Sequence, residues 1–301
     1  METVEDQGGD AIQFLVGQGQ VLTASRDILA SCSPVFHAMC LGPLAEAGPV
    51  EVPDVSPTAL EQLLRRAATG EPVLPSSIDE GCELLYAAKK YLVDDVASTC
   101  RDIIGEWVGP HDACRVLEFA ESVDELALAE TCLELIRRRA REVLKEESFS
   151  EVGRTMLGRV LDDGRLEVDS EVDVIEAANR WAEGACKRRG LPTTGPNRRA
   201  VLGSLFGKLR FLSLRGTELF PSVTERDLLT LDEFHAVLER SARVCGDPWR
   251  PLPGLCAVVE RRGARRGPSE FSYAGLSRCP MCGSPLADLR TRERCFRCRI
   301  N

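Results

Sequence analysis

Histidine is scarce in this chain, with three residues in 301: His37, His111 and His235. That leaves little material for general acid–base chemistry. No G-x-S-x-G or H-E-x-x-H pattern occurs, and Gly207-Lys208 has no phosphate-cradling glycine loop before it. No run of 18 or more apolar residues occurs, so no membrane-spanning helix is expected. The opening METVEDQGGD is acidic and polar, whereas a secretory signal needs a basic start and an apolar run. The expected compartment is therefore the cytosol or nucleus. Thirteen cysteines there read as reduced thiols or metal ligands, not as a disulfide framework.

What is present is globular. Apolar residues make up 44% of the chain, enough for a sizeable core, and the 28% that are charged form no long like-charge block. The charge is uneven. From Arg261 onward ten arginines stand against Glu270, Asp288 and Glu293, a local +7, which leaves −16 for the rest of a chain whose total is −9. A basic tail on an acidic body points either to an anionic partner or to a solvated linker.

Ile12, Phe14 and Val16 alternate with polar or small residues, and after Gly17 to Gln20 the apolar pattern restarts, which predicts a hairpin. Ile28 to Cys40 reads as one helix, with Pro34 inside its start and Gly42 as its stop. Val50 and Val52 make a short strand. Pro57 opens a helix through Leu60, Leu63, Leu64 and Ala67, ended by Gly70 and Pro72. Cys82–Tyr91 and Val96–Trp107 follow as helices. This is an α+β domain over 1–108.

Beyond Pro110 no strand is apparent. Helices are expected at Asp112–Ser122, Asp124–Val143, Phe149–Leu161, Val172–Arg188, Arg198–Leu209 and Asp232–Cys245, an all-helical domain over 109–245. Ser148 with Glu151, Ser170 with Asp173 and Thr230 with Glu233 have capping-box spacing. Arg137, Arg138, Arg139 and Arg141 read as a solvated face, with Glu134 and Glu142 at i, i+4 to Arg138. Residues 246–275, rich in proline, arginine and glycine, read as a linker.

The last 26 residues, 276–301, carry Cys279-Pro-Met-Cys282-Gly and, twelve residues on, Cys295-Phe-Arg-Cys298. Two C-x2-C pairs at this spacing predict a small four-cysteine zinc ribbon holding one structural Zn2+ per chain. Four thiolate ligands leave no open position for catalysis. A RING is excluded, since it needs eight ligands and no histidine follows His235. So short a segment lacks a core of its own, and metal binding of about 10–16 kcal/mol would have to hold it. Arg290, Arg292, Arg294, Arg297 and Arg299 surround the second pair, but Phe296 alone offers a stacking ring. A protein partner is therefore favoured over nucleic acid. His37 with Cys40, and His111 with Cys114, have the i, i+3 spacing of a dyad or half a metal site; inert packing is the favoured reading of both.

The stretches ILASCSPVFHAMCLGPLAE, VEVPDVSPTALEQLLRRAATGE and LLYAAKKYLVDDVASTC resemble a BTB/POZ domain. ACRVLEFAESVDELALAETCLELI, with SFSEV, SEVDVIEAANRWAEGAC and RRAVLGSLFGKLRFLSL after it, resembles the BACK domain. The order resembles the BTB–BACK proteins that end in a PHR-type sandwich, with the zinc ribbon in that sandwich's place. The resemblance covers roughly Asp10 to Leu238. It implies a non-enzymatic adaptor that brings a protein substrate to a cullin-3 ubiquitin ligase. The cullin contact would be the hydrophobic-x-acid triplet Leu44-Ala45-Glu46, supplemented by a 3-box over Asp112–Ile136. A homodimer is also implied, weakened because only about ten residues precede the first strand, where the family carries an exchanged helix and strand. Thr23-Ala24-Ser25-Arg26 lacks the family's usual histidine, and Ala68 stands where a tyrosine is usual. The alternative function is a nuclear, transcription-associated scaffold whose basic ribbon meets nucleic acid.

Overall fold

A computed structural model describes residues 11–43, 45, 48–214, 228–242, 255–256 and 262. The chain divides into two compact units between Glu134 and Leu135.

The first unit opens on a hairpin. Strand β1 (Ala11–Val16) pairs antiparallel with β2 (Gln20–Ser25), Phe14 opposite Leu22. Strand β3 (Val50–Val52) adds to the other side of β1 in parallel, Phe14 opposite Val50, giving the order β2-β1-β3. The period-two pattern of β1 puts Ile12, Phe14 and Val16 on the buried face.

The expected helix Ile28–Cys40 is two helices, α1 (Arg26–Cys32) and α2 (Pro34–Leu41). Pro34 forces the break. A residue before proline is pushed out of the helical region, and Ser33 sits at φ −158°, ψ 146°. Ser33 then serves as the N-cap of α2, its hydroxyl accepting from the Phe36 amide at 3.1 Å and donating to the Tyr91 carbonyl. Phe36 stacks on Tyr91 with centroids 4.6 Å apart and meets Phe14 edge-on at 6.3 Å.

Two glycines stop helices by different means. Gly70 ends α3 (Pro57–Thr69) in the left-handed region at φ 72°. Gly42 ends α2 with φ −69°, but a Cβ there would lie 2.4 Å from the Ala38 carbonyl oxygen. Close approach, not left-handed backbone, demands that glycine. The unit continues through α4 (Ile78–Lys90), α5 (Asp94–Trp107), α6 (Ala113–Ser122) and most of α7 (Leu126–Arg138).

The second unit is helical among its described residues. The expected helix Asp124–Val143 starts later, at Leu126, because Asp124 adopts φ 55°, and it is broken where Arg139 at φ −111° separates α7 from α8 (Ala140–Lys145). The expected Phe149–Leu161 is a 3-10 turn, Glu147–Glu151, followed by α9 (Arg154–Asp162) behind Gly153. Ser148 lies inside that turn instead of ahead of it, so it does not take the N-cap place that the first capping box requires. Helix α10 (Glu171–Arg188) begins behind Ser170, whose hydroxyl accepts from Val172 rather than from Asp173. Helix α11 (Gly195–Leu202) ends at Gly203, φ 53°, and the expected remainder to Leu209 is a 3-10 turn, Gly203–Lys208. The third box closes reciprocally, ahead of α12 (Leu231–Ala242). There the Thr230 amide donates to Glu233 at 2.9 Å and the Glu233 amide to the Thr230 hydroxyl at 3.3 Å.

The arginine run is not wholly solvated. Arg137 is largely buried and pairs with Asp163 at 2.8 Å, whereas Arg139 and Arg141 stay outside with Glu142 and Asp169. Within the stretch read as a linker, the described residues Leu255 and Arg262 are buried. Among the described residues no helix is long and apolar enough to cross a membrane.

Candidate protein-interaction surface

Helix α2 presents two unlike sides. Phe36 and Cys40, four residues apart, are buried, while His37, Ala38 and Leu41 face solvent. The chain turns after Leu41. The Gly42 amide donates back to Ala38, and the Ala45 amide donates to the Gly42 carbonyl at 3.0 Å. Ala45, the middle of the predicted triplet, is exposed. Leu44 and Glu46 lie outside the described residues. The turn thus follows an apolar, exposed helix end, with Leu41 half uncovered at 51%.

The segment predicted to extend this surface is ordered by one carboxylate. Glu125, 6% exposed, accepts from Lys89 of α4 at 2.8 Å and from Arg101 of α5 through Nε and Nη2. The left-handed Asp124 before it lets the Glu125 amide donate to the Ala120 carbonyl at 2.8 Å, which turns α6 into α7. Lys89, Leu92, Asp94, Ala97, Arg101 and Glu125 line an open cleft of about 300 Å³ there. Leu126, next in sequence, is 78% exposed and Leu92 51%. Arg115 of α6 pairs with both Asp79 and Asp112.

The Arg101 hydrogen bonds, against the opposing cost of burial and with help from Lys89, hold the Glu125 carboxyl below its ordinary range. A carboxylate depressed in the folded state stabilises above its unfolded pKa, about 4.3, and loses that stabilisation as pH falls through the folded value. Glu125→Gln is therefore expected to cost about 1–3 kcal/mol at pH 7, with the gap from wild type narrowing below pH 4. Urea midpoints at pH 7 and 3.5 measure it; a gap that widens in acid would refute the assignment.

The histidine–cysteine pairs are not assembled for chemistry. His37 and His111 are exposed, while Cys40 and Cys114 are buried. Burial pushes the Cys40 thiol up and Cys114 to about 12; Cys82, Cys100 and Cys132 are raised to about 11, 12 and 12 by the same cause. These thiols are protonated packing groups at neutral pH. Among the described residues no group of three His, Cys, Asp or Glu is placed to hold a metal. The predicted ribbon ligands Cys279, Cys282, Cys295 and Cys298 lie outside the described residues.

Sequence reasoning misses Glu125. The break between helices at Val123 is expected, but the cations that meet this carboxylate, Lys89 and Arg101, stand on α4 and α5, far off in sequence.

The BTB/POZ domain family model matches residues 11–106, and the BACK model, "BTB And C-terminal Kelch", matches residues 113–224. Human BTB/POZ domain-containing protein 6 is 34% identical over 230 residues, which cover 75% of this chain and 42% of that protein. Human BTB/POZ domain-containing protein 3 is 32% identical over 226 residues, covering 74% of this chain and 43% of that protein. The chain thus spans less than half the length of these relatives. The solved BTB domain of zebrafish PATZ1 aligns with 32% of this chain and 75% of its own at 25% identity, TM-score 0.27. The two family matches, in this order and on the units described above, place the chain among the BTB–BACK domain proteins.

Proposed function

We propose that the chain is a non-enzymatic adaptor that joins a cullin-3 ubiquitin ligase to a protein substrate. The observation that carries this reading is the BTB match followed directly by the BACK match. BTB–BACK proteins are generally protein-interaction adaptors. The exposed Ala45, on a turn fixed by Gly42, supports placing the contact at Leu44-Ala45-Glu46. A leucine anchor seats in an apolar pocket and a neighbouring acid fixes the register. Leu44→Ala with Glu46→Ala is expected to weaken cullin-3 binding by about 2–4 kcal/mol, on the order of 30- to 1000-fold, with the melting temperature unchanged. Calorimetry with purified cullin-3 N-terminal domain decides it. No binding by wild type at micromolar concentration sinks the adaptor reading; equal binding by the variant sinks the triplet.

We infer further that Cys279, Cys282, Cys295 and Cys298 bind one structural zinc, and that the resulting ribbon recruits the partner. Two short-range thiol pairs with no histidine beside them support it. Metal analysis of reduced, unchelated protein should give one zinc per chain. Cys295→Ser should lower this by at least half while sparing cullin binding. Less than half an equivalent in wild type refutes the site.

A further inference from the structure

The second unit gathers three acceptors around one buried cation. Glu171, the first residue of α10, is 2% exposed. Its Oε1 takes the Arg210 amide at 3.3 Å. The backbone carbonyls of Leu161, near the end of α9, and Lys208, at the end of the Gly203–Lys208 turn, face the same space, and Arg262 fills it. The Arg262 guanidinium, fully buried, ion-pairs with Glu171 and donates to both carbonyls, that of Lys208 at 3.2 Å.

The fit is incomplete. Glu171 Oε2 and the Nε and Nη1 of Arg262 are buried without a hydrogen bond. A guanidinium presenting its fork edge-on to the carboxylate would satisfy both oxygens, the stronger bidentate arrangement. Asp162 and Asp163 add negative potential around the site. Such a set suits a planar cation with several donors better than a neutral group, and repels an anion. Its present occupant comes from a segment 54 residues beyond Lys208, so the site and its occupant are separate pieces of chain.

We propose that Glu171 and the Leu161 and Lys208 carbonyls form an arginine-recognition site of the BACK unit, closed in cis by Arg262 and able to take an arginine side chain of a partner polypeptide instead. The proposal does not depend on cullin binding. An intramolecular occupant competes at high effective concentration, so an outside arginine binds well only when Arg262 is displaced or removed.

The probe is a labelled synthetic peptide of residues 255–268, titrated by fluorescence anisotropy against the full chain. The Arg262→Ala chain is expected to bind it at least ten-fold tighter than wild type. A peptide carrying Arg262→Ala, with its other arginines kept, should lose that gain. So should the chain carrying Arg262→Ala together with Glu171→Gln. Equal binding of the two peptides, or no binding by a folded Arg262→Ala chain at millimolar peptide, overturns the proposal. Should the Arg262→Ala chain not fold, the peptide with a photoreactive group at position 260 is crosslinked to wild type. Adducts at the start of α10 or on the Gly203–Lys208 turn, lost when the peptide carries Arg262→Ala, support the site; adducts elsewhere, or none, overturn it.

Discussion

Phe36→Ala is expected to destabilise the first unit by about 3–5 kcal/mol, a large part of a domain's whole stability. Phe36 is 1% exposed and touches two other rings: it stacks on Tyr91 at an interplanar angle of 12° and meets Phe14 at 70°. Truncation leaves a cavity bounded by a strand, α2 and the end of α4, each held by its own hydrogen bonds and so slow to collapse. The loss of two ring contacts adds to the transfer term. Phe36→Leu, which keeps most of the volume, should cost roughly 1–1.5 kcal/mol. Urea unfolding followed by circular dichroism reads both. A loss under about 1.5 kcal/mol for the alanine variant would mean that the three rings are not the centre of this core.

A loss of similar size, about 3–5 kcal/mol, is expected for Trp181→Ala in the second unit. Trp181 is 4% exposed, midway along α10, and its indole N–H donates to the Val152 carbonyl at 2.8 Å. That bond fixes the segment between the Glu147–Glu151 turn and α9, where no regular ladder supplies partners. Alanine removes the ring and orphans a buried acceptor, so two costs act together. Trp181→Phe separates them: it keeps most of the apolar volume and loses the donor, and should fall between wild type and alanine. Phenylalanine matching the alanine variant would assign the whole effect to the hydrogen bond.

Much of the first unit is legible in the sequence because its signals are local. The alternation of β1 and the Pro57-to-Gly70 frame of α3 each lie within one window and appear where expected. The long expected helices break where a single residue overrides periodicity. Pro34 splits α1 from α2 while Leu29, Phe36 and Cys40 keep the apolar pattern running on both sides. Arg139 does the same between α7 and α8. A 3.6-residue period survives a one-residue kink, so the pattern cannot reveal it. Arg262 is illegible for another reason. It sits in a run of arginines that reads as solvated, and its partners Glu171, Leu161 and Lys208 lie far off in sequence. Of the candidate contacts, the triplet is recognisable from a resemblance; the Glu125 anchor is not, because its cations come from two other helices.

The parallel pairing of β3 with β1 bears on how the chain is made. During synthesis β1 and β2 emerge together and can form a hairpin within about 1–10 µs. The far edge of β1 must wait for Val50–Val52, after α1 and α2 have been translated. At about 5–20 residues per second that interval lasts seconds. Throughout it, an apolar strand bearing Ile12, Phe14 and Val16 has an open edge, the kind of template on which nascent chains pair wrongly. Slower translation over this stretch should therefore lower the soluble yield of the protein without altering the stability of what has folded.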